Sequence, residues 1–218
     1  MDYSILFTGG YLMIPILLSS IIAVAIIIER VFVIRKAKLK PAFMVKIRGM
    51  LKRKNIQNAI EYCLEHKTPA SNIIRKGLKK YHFGHERVRE AIESAGGQEI
   101  NKLEKGLMVL ATISGVAPLL GFLGTVTGMI QAFMQIENLE GAANPSDLAG
   151  GIWEALLTTA FGLAVGIIAY TFYNFLVSKV KKIVLEMEVV STDVVDTLEE
   201  VTRGKVADIP DEELEIEL

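Results

Sequence analysis

The sequence is poor in residues that bind metals, with one cysteine, Cys63, and three histidines among 218 residues. A single cysteine excludes an intrachain disulfide framework and a cysteine-based zinc or iron–sulfur site. His82 and His85 are three residues apart and fit one helix face, but no third ligand is near them in the sequence. A metal site there is the less favoured alternative, and we expect no metal or cofactor.

Catalytic patterns are also missing. The sequence has no GxxxxGK[ST] phosphate loop, and no arrangement of Ser, His and Asp or of paired carboxylates indicates hydrolysis. An enzyme is therefore not expected. Residues 1–11 contain Asp2 as their one charged residue and no base, which argues against a signal peptide. We expect the first apolar segment to remain in the protein.

Charge is absent from three long windows, although 22% of all residues are charged and 51% are hydrophobic. The windows are Tyr11–Ile28, Gly106–Ile136 and Ala155–Ser178, with 18, 31 and 24 residues. As helices they would extend about 27, 46 and 36 Å, against a hydrocarbon core of about 30 Å. The sequence therefore predicts an all-α, polytopic membrane protein with transmembrane helices at 11–28, 106–136 and 155–178.

The distribution of charge between these windows predicts the topology. Residues 29–105 hold 19 Lys and Arg but 8 Asp and Glu, whereas residues 137–154 hold four acids and no base. By the positive-inside rule, 29–105 and 179–203 lie in the cytoplasm, and residues 1–10 and 137–154 lie outside. Because topology accounts for the basic residues, no nucleic-acid partner is expected.

The predicted cytoplasmic segments show helical periodicity. Asn55 and Pro69 divide residues 29–105 into short helices, and a pattern from Glu86 onward predicts one helix continuing into the second span. Gly96 and Gly97 mark a possible bend or a close packing point in it. Apolar residues every three to four positions over 179–203 predict a second extension, antiparallel to the first. Residues 204–218, with six acids, predict a mobile acidic tail.

The second and third spans each carry a stripe of small and polar residues, in two sets: Ser114, Pro118, Gly121, Thr125, Gly128, Ala132 and Gln135; and Ala155, Thr159, Gly162, Gly166 and Ala169. Such stripes are typical of close helix packing, and both spans contain a GxxxG, at Gly124/Gly128 and at Gly162/Gly166. The alternative is a polar passage, which we favour for Thr125 and Thr159 and leave open for the glycines. Glu154, at the predicted start of the third span, is better explained from the residues alone as a helix cap than as the mouth of an ion path.

Two of these segments match a known pattern. The run Ala117–Met129 (APLLGFLGTVTGM), followed by Ile152–Val165 (IWEALLTTAFGLAV), resembles the MotA/TolQ/ExbB proton-channel family, and its ExbB branch most closely. The order of the motifs, the short loop between them and the long basic loop before them also fit. The resemblance covers the second and third spans well, and the rest of the chain in general character.

The resemblance implies a bacterial inner-membrane protein with 1–10 and 137–154 in the periplasm. It implies a homopentamer around two copies of an ExbD-like one-span partner, whose membrane aspartate carries the proton. Proton motive force would then drive a TonB-like protein for outer-membrane transport. A TolQ-like subunit, or another stator for envelope integrity, gliding or secretion, is the alternative; a non-conducting membrane scaffold is the second.

The resemblance also implies roles for single residues. Thr125, Glu154 and Thr159 fall on the family's pore-facing threonine, outer glutamate and second threonine, and Asn174 falls on an asparagine late in the third span. This raises all three proton-pathway residues above their packing or capping explanations. Gly121, Gly128, Gly162, Gly166 and Gln135 are the further candidates for the pathway, and Gly124 is a candidate for helix packing. Many members have a proline where this chain has Ile168, so a kink at that point is not carried over.

Overall fold

The computed structural model describes residues 10–138, 145–202 and 204, and the described residues contain α-helices and one 3₁₀ turn but no strand. The elements, in chain order, are α1 (Met13–Ala37), α2 (Pro41–Lys52), α3 (Ile56–His66), α4 (Pro69–Leu78), a 3₁₀ turn (Tyr81–Phe83), α5 (His85–Glu104), α6 (Leu107–Asn138) and α7 (Pro145–Thr202). Most of the predicted external amino terminus, part of the 137–154 loop and nearly all of the acidic tail lie outside the described residues. The all-α expectation is confirmed for the rest.

The described chain forms two compact units. The first, which we call the span unit, comprises residues 10–31, 106–138 and 145–177. The second, which we call the helical domain, comprises 32–105 and 178–202. Three helices, α1, α6 and α7, contain stretches long and apolar enough to cross a membrane. Each charge-free window therefore corresponds to a helix, as predicted.

Several helix ends differ from the prediction. The single helix expected from Glu86 through the second span is wrong, because α5 ends at Glu104 and α6 begins at Leu107. Gly106 between them has a φ of +80°, a left-handed conformation that glycine adopts without steric cost. The start of α7 is also earlier than expected, so residues 145–154 are helical instead of a loop. Charge marks where hydrocarbon begins, and a helix can continue past that point.

Local capping interactions set the short helices of the helical domain. The Asn55 side chain accepts a hydrogen bond from the Asn58 backbone N–H at the start of α3 (3.4 Å). At α4, the Thr68 hydroxyl accepts from the Ser71 N–H (3.2 Å), while the Thr68 N–H donates to the Ser71 hydroxyl (2.9 Å). Pro69 occupies the first turn, where its missing N–H costs nothing. The predicted divisions at Asn55 and Pro69 are confirmed.

Buried apolar side chains hold the helical domain together. Phe43, Ile47 and Leu51 of α2 are fully buried, as are Ile73, Ile74 and Leu78 of α4 and Leu103 of α5. Each such side chain contributes about 1.5–3 kcal/mol on leaving water. The series predicted in the second extension is also buried at seven positions: Val180, Ile183, Met187, Val190, Val194, Leu198 and Val201.

The start of α5 lies beside the end of α7. His85, at the start of α5, lies 3.3 Å (Nε2 to Oε2) from Glu199, near the end of α7. α5 passes through Gly96 and Gly97 without interruption. A Cβ atom on either glycine would meet no atom within 4 Å in the described chain, so the close packing point considered there is not found.

Candidate functional site

In the span unit, α6 and α7 touch along their small-residue faces. A Cβ atom added to Gly121 would lie 3.0 Å from the Thr159 Cα, and one added to Gly162 would lie 2.6 Å from the Ala117 carbonyl oxygen. Both obstacles are backbone atoms, which a rotamer change does not move. The two helices therefore approach as closely as glycine permits, and this approach places the side chains around them.

The same contact extends in both directions along the helices. An added Cβ on Gly128 would lie 2.7 Å from the Ala155 Cβ, and one on Gly166 would lie 2.4 Å from the Pro118 ring. Pro118 has no N–H to donate to the Ser114 carbonyl, and Gly166 lets α7 lie close to that freed oxygen, 3.3 Å from an added Cβ. Gly121, Gly128, Gly162 and Gly166 are thus all in the contact between the helices. Their role as pore-lining residues stays a prediction.

Thr159 links the two helices through its hydroxyl. Its Oγ1 donates a hydrogen bond to the Gly121 carbonyl oxygen at 2.6 Å. In an α-helix that carbonyl also accepts the backbone N–H four residues later, which belongs to Thr125. The Thr159 hydroxyl and the Thr125 backbone N–H therefore share the Gly121 carbonyl oxygen as acceptor. The hydroxyl oxygen of Thr159 keeps lone pairs with which it can accept a further hydrogen bond.

Thr125 uses its hydroxyl within its own helix. Its Oγ1 donates to the Phe122 carbonyl oxygen at 2.6 Å, and the side chain is half-buried. It makes no hydrogen bond to Thr159 within the described part of the chain. Both threonine hydroxyls thus donate to backbone carbonyl oxygens, and each hydroxyl oxygen can still accept a hydrogen bond from a group of another chain.

Glu154 lies beside this contact rather than at a helix end. α7 begins at Pro145, so the carboxylate is more than two turns inside the helix. The capping explanation is wrong, because the helix dipole and the unpaired N–H groups act within the first turn. A Cβ on Gly10, whose φ is +67°, would lie 2.4 Å from the Glu154 Oε1, so the chain before α1 passes directly over the carboxylate.

A small cavity adjoins Glu154. Its volume is about 20 Å³, which is close to the space that one water molecule needs. The lining residues come from the chain before α1 and from α6 and α7: Gly10, Tyr11, Leu12, Gly124, Thr127, Gly128, Gln131, Glu154 and Thr158. The carboxylate therefore shares a polar niche with the hydroxyl-bearing faces of both helices.

Two predicted residues lie away from this contact. Gln135 is exposed near the end of α6, about 15 Å along the helix from Thr125. Asn174 is exposed on α7, about 22 Å beyond Thr159, and its Nδ2 donates to the Tyr170 carbonyl oxygen at 2.9 Å. Ile168 is 51% exposed in an unbroken α7, whose backbone carries no proline break there.

Sequence reasoning missed Thr158. Its side chain is 1% exposed, its Oγ1 donates to the Glu154 carbonyl oxygen at 2.9 Å, and its Cγ2 would lie 2.5 Å from a Cβ on Gly124. Gly124 therefore lies in the helix contact opposite Thr158. A helical pattern in the sequence could have identified this buried face. Small residues and Thr158 follow one another at spacings of four, three and four, in the order Gly151, Ala155, Thr158 and Gly162.

No group of three or more metal-binding side chains occurs among the residues that the structure describes. His82 is exposed, and His85 pairs with Glu199.

Comparison with known proteins places this site in a family. Residues 65–189 match the MotA/TolQ/ExbB proton channel family, and they include the α6–α7 contact and Glu154. An ExbB-like biopolymer transport protein of Synechocystis sp. is 32% identical over 179 residues, covering 78% of this chain and 68% of the relative. The biopolymer transport protein ExbB of Xanthomonas campestris is 41% identical over 98 residues, covering 45% of this chain and 38% of the relative.

A relative named TolQ also matches part of this chain. The Tol-Pal system protein TolQ of Haemophilus influenzae is 40% identical over 93 residues, covering 43% of this chain and 40% of its own length. The family prediction and the similarity to ExbB are confirmed by these matches. With three apolar helices and this match, the chain is a multi-pass membrane protein and belongs to the MotA/TolQ/ExbB proton channel family.

Proposed function

We propose that this chain is the channel subunit of a proton-driven motor complex in the bacterial inner membrane. Five copies would surround the membrane helices of two copies of an ExbD-like partner and energise a TonB-like protein. One observation carries the proposal. The hydroxyls of Thr125 and Thr159 lie beside the glycine contact between α6 and α7, in two windows that contain no Asp, Glu, Lys or Arg. Within these windows the chain offers hydrogen-bonding groups but no ionisable proton carrier, so we assign the carrier to a partner.

The geometry supports a defined role for Thr159. Its hydroxyl proton rests on the Gly121 carbonyl, and its lone pairs can accept a hydrogen bond from a protonated partner carboxyl. When that carboxyl loses its proton, the hydroxyl can rotate and donate to the carboxylate instead. A hydrogen bond to a charged group is worth about 1.5–3 kcal/mol, so the exchange distinguishes the two protonation states of the partner.

In this proposal Glu154 acts at the entrance to the path. The positive-inside rule assigns residues 1–10 and the end of α7 that carries Glu154 to the periplasmic side, and the helical domain to the cytoplasm. A carboxylate beside a cavity the size of one water molecule attracts protons towards the threonines. Each proton that crosses about 100 mV releases about 2.3 kcal/mol, so a few protons supply enough work to move a partner helix.

A TolQ-like role in the same class of motor is the second candidate. The 40% identity to TolQ over 93 residues is comparable with the 41% identity to ExbB over 98 residues. The two roles share the same channel chemistry and differ in the downstream protein. A TonB-like or a TolA-like protein recovered with the complex distinguishes them.

Thr159→Val tests the channel, because it removes the hydroxyl and keeps the side-chain volume. We expect proton uptake by membrane vesicles carrying this chain with its partner to fall about tenfold or more, since the lost hydrogen bond is worth at least about 1.5 kcal/mol. Thr171→Val is the matched control, because the Thr171 hydroxyl is exposed on the same helix and donates to its own Ile167 carbonyl oxygen. Wild-type proton uptake by an assembled Thr159→Val complex would remove Thr159 from the proton path. An absence of proton uptake by the assembled wild-type complex would favour the non-conducting scaffold.

A further inference from the structure

A basic groove lies on the helical domain, where α3 begins and α4 ends. The groove has a volume of about 530 Å³, and none of the described residues that line it is acidic. Its lining includes Lys54 and Lys79 with an apolar base formed by Ile56, Ile60 and Leu78. Both lysines are exposed, and neither pairs with a carboxylate in the part of the chain that the structure describes. The groove therefore combines uncompensated positive charge with apolar surface.

A second groove on the same domain has the opposite charge. It lies between α5 and α7 and has a volume of about 630 Å³. Five carboxylates line it against Arg89 and His85, and these are Glu86, Glu93, Glu188, Asp196 and Glu199. An acidic ligand is therefore repelled from the α5–α7 groove and attracted to the basic groove.

The sequence contains a segment of matching character, residues 205–218. It holds six acids and one lysine, and from Glu213 to Leu218 acids alternate with leucine or isoleucine. In an extended conformation, alternation places the acids on one side and the apolar residues on the other. Such a segment matches a groove with lysines at its rim and isoleucine and leucine at its base.

The segment starts close enough to reach the groove. The pair between Glu199 and His85 places the end of α7 beside the start of α5, three residues from His82 in the groove lining. Chain geometry limits the distance from Thr202 to His82 to about 30 Å, and residues 203–218 can extend more than about 50 Å. The reach is sufficient within one subunit.

We propose that the acidic segment 205–218 docks in the basic groove of its own subunit. Its carboxylates pair with Lys54 and Lys79, and its leucine and isoleucine side chains contact the apolar base. Docking covers the two lysines of the groove and withholds them from other anions, including lipid headgroups. The proposal concerns a surface that the channel mechanism does not use.

Carbodiimide cross-linking of the complex in its native membrane tests the proposal, because the reagent joins a lysine to a carboxylate only where they are in contact. We expect amide links from the segment to Lys54 or Lys79, identified by peptide mass spectrometry. Lys102 and Glu99, which are 2.7 Å apart, supply an internal standard. Links should fall about threefold or more at about 1 M salt, where the Debye length is about 3 Å.

Charge reversal sharpens the test. Glu212→Lys with Glu213→Lys should lower the links from the remaining acids by about threefold, because exposed pairs contribute up to about 1 kcal/mol each. Adding Lys54→Glu with Lys79→Glu should restore cross-links, now between the lysines introduced at 212 and 213 and the glutamates introduced at 54 and 79. The control pair Lys46→Glu with Lys67→Glu changes two exposed lysines outside the groove lining and should leave the links unchanged.

Three results would overturn the proposal. The first is an absence of links to Lys54 and Lys79 while the Lys102–Glu99 link forms. The second is a set of links between ¹⁵N-labelled and unlabelled copies, which would make a neighbouring subunit the occupant. The third is links that form in neutral detergent but not in the anionic native membrane, which would make a lipid headgroup the occupant.

Discussion

Thr159 and Glu154 show how far single residues can be interpreted from sequence. The motif around each residue identifies it, but its partner depends on the neighbouring chain. The Thr159 hydroxyl donates to the Gly121 carbonyl, 38 positions earlier in the sequence. Glu154 lies under Gly10, a contact that no local spacing indicates. Contacts of this kind, between residues far apart in the sequence, determine which hydrogen bonds and charges surround each side chain.

Cys63 offers a prediction at this scale. The side chain is 1% exposed in the helical domain, and burial raises the pKa of its thiol to about 12, although Arg75 opposes this shift. At a pH of about 8.5 an ordinary thiol is half ionised, whereas Cys63 is ionised to less than about one part in a thousand. We expect alkylation of the folded protein to be at least about a hundredfold slower than in urea, measured by mass spectrometry.

The same raised pKa sets a pH dependence. The folded state keeps the Cys63 proton more tightly than the unfolded state, so its contribution is fully present below a pH of about 8.5 and is lost as the pH rises towards about 12. Cys63→Ala removes this titration and should flatten the alkaline part of the stability curve. Equal alkaline slopes for Cys63→Ala and wild type, or rapid alkylation of the folded protein, would contradict the prediction.

At the scale of elements, sequence located the spans better than it located the helix ends. Charge-free windows identify stretches that tolerate hydrocarbon, and α1, α6 and α7 each contain one. The same windows cannot report that α7 starts at Pro145, because polar residues before Glu154 continue the helix. The break between α5 and α6 at Gly106 could not be predicted from the sequence either, because glycine occurs both inside helices and at their ends.

The contact between α6 and α7 depends on glycine, and Gly162→Ala tests this. The new Cβ would lie 2.6 Å from the Ala117 carbonyl oxygen and 2.9 Å from the Gly121 Cα, so the helices must move apart. We expect a loss of about 1–3 kcal/mol in the free energy of unfolding, measured in detergent by titration with a denaturing surfactant.

Gly150→Ala is the matched control for that prediction. Gly150 lies on α7, where it is exposed and an added Cβ would meet no atom within 4 Å in the described chain. Alanine is the better helix former, so this change should leave stability unchanged or raise it slightly. If the two variants unfold alike, the close approach of α6 and α7 is not what stabilises the span unit.

At the scale of the whole molecule, composition alone indicated a membrane protein, but not the assembly in which it works. The topology inferred from charge and the family motifs both follow from this chain. The proton carrier of the proposed mechanism does not, because the charge-free windows hold no Asp or Glu. The proposed function therefore requires a complex, and the composition of that complex is the quantity to measure.

Native mass spectrometry of the complex, extracted gently from its own membrane without overproducing this chain alone, supplies that measurement. We expect five copies of the 24.0 kDa subunit with two copies of a smaller one-span protein. In the proposed mechanism, the hydroxyls of Thr125 and Thr159 exchange hydrogen bonds with a membrane carboxylate that a partner supplies. A preparation of this chain expressed without the partner serves as the control and should conduct no protons. A native homo-oligomer without any small partner would leave the channel without a carrier, and the scaffold would then be the better explanation.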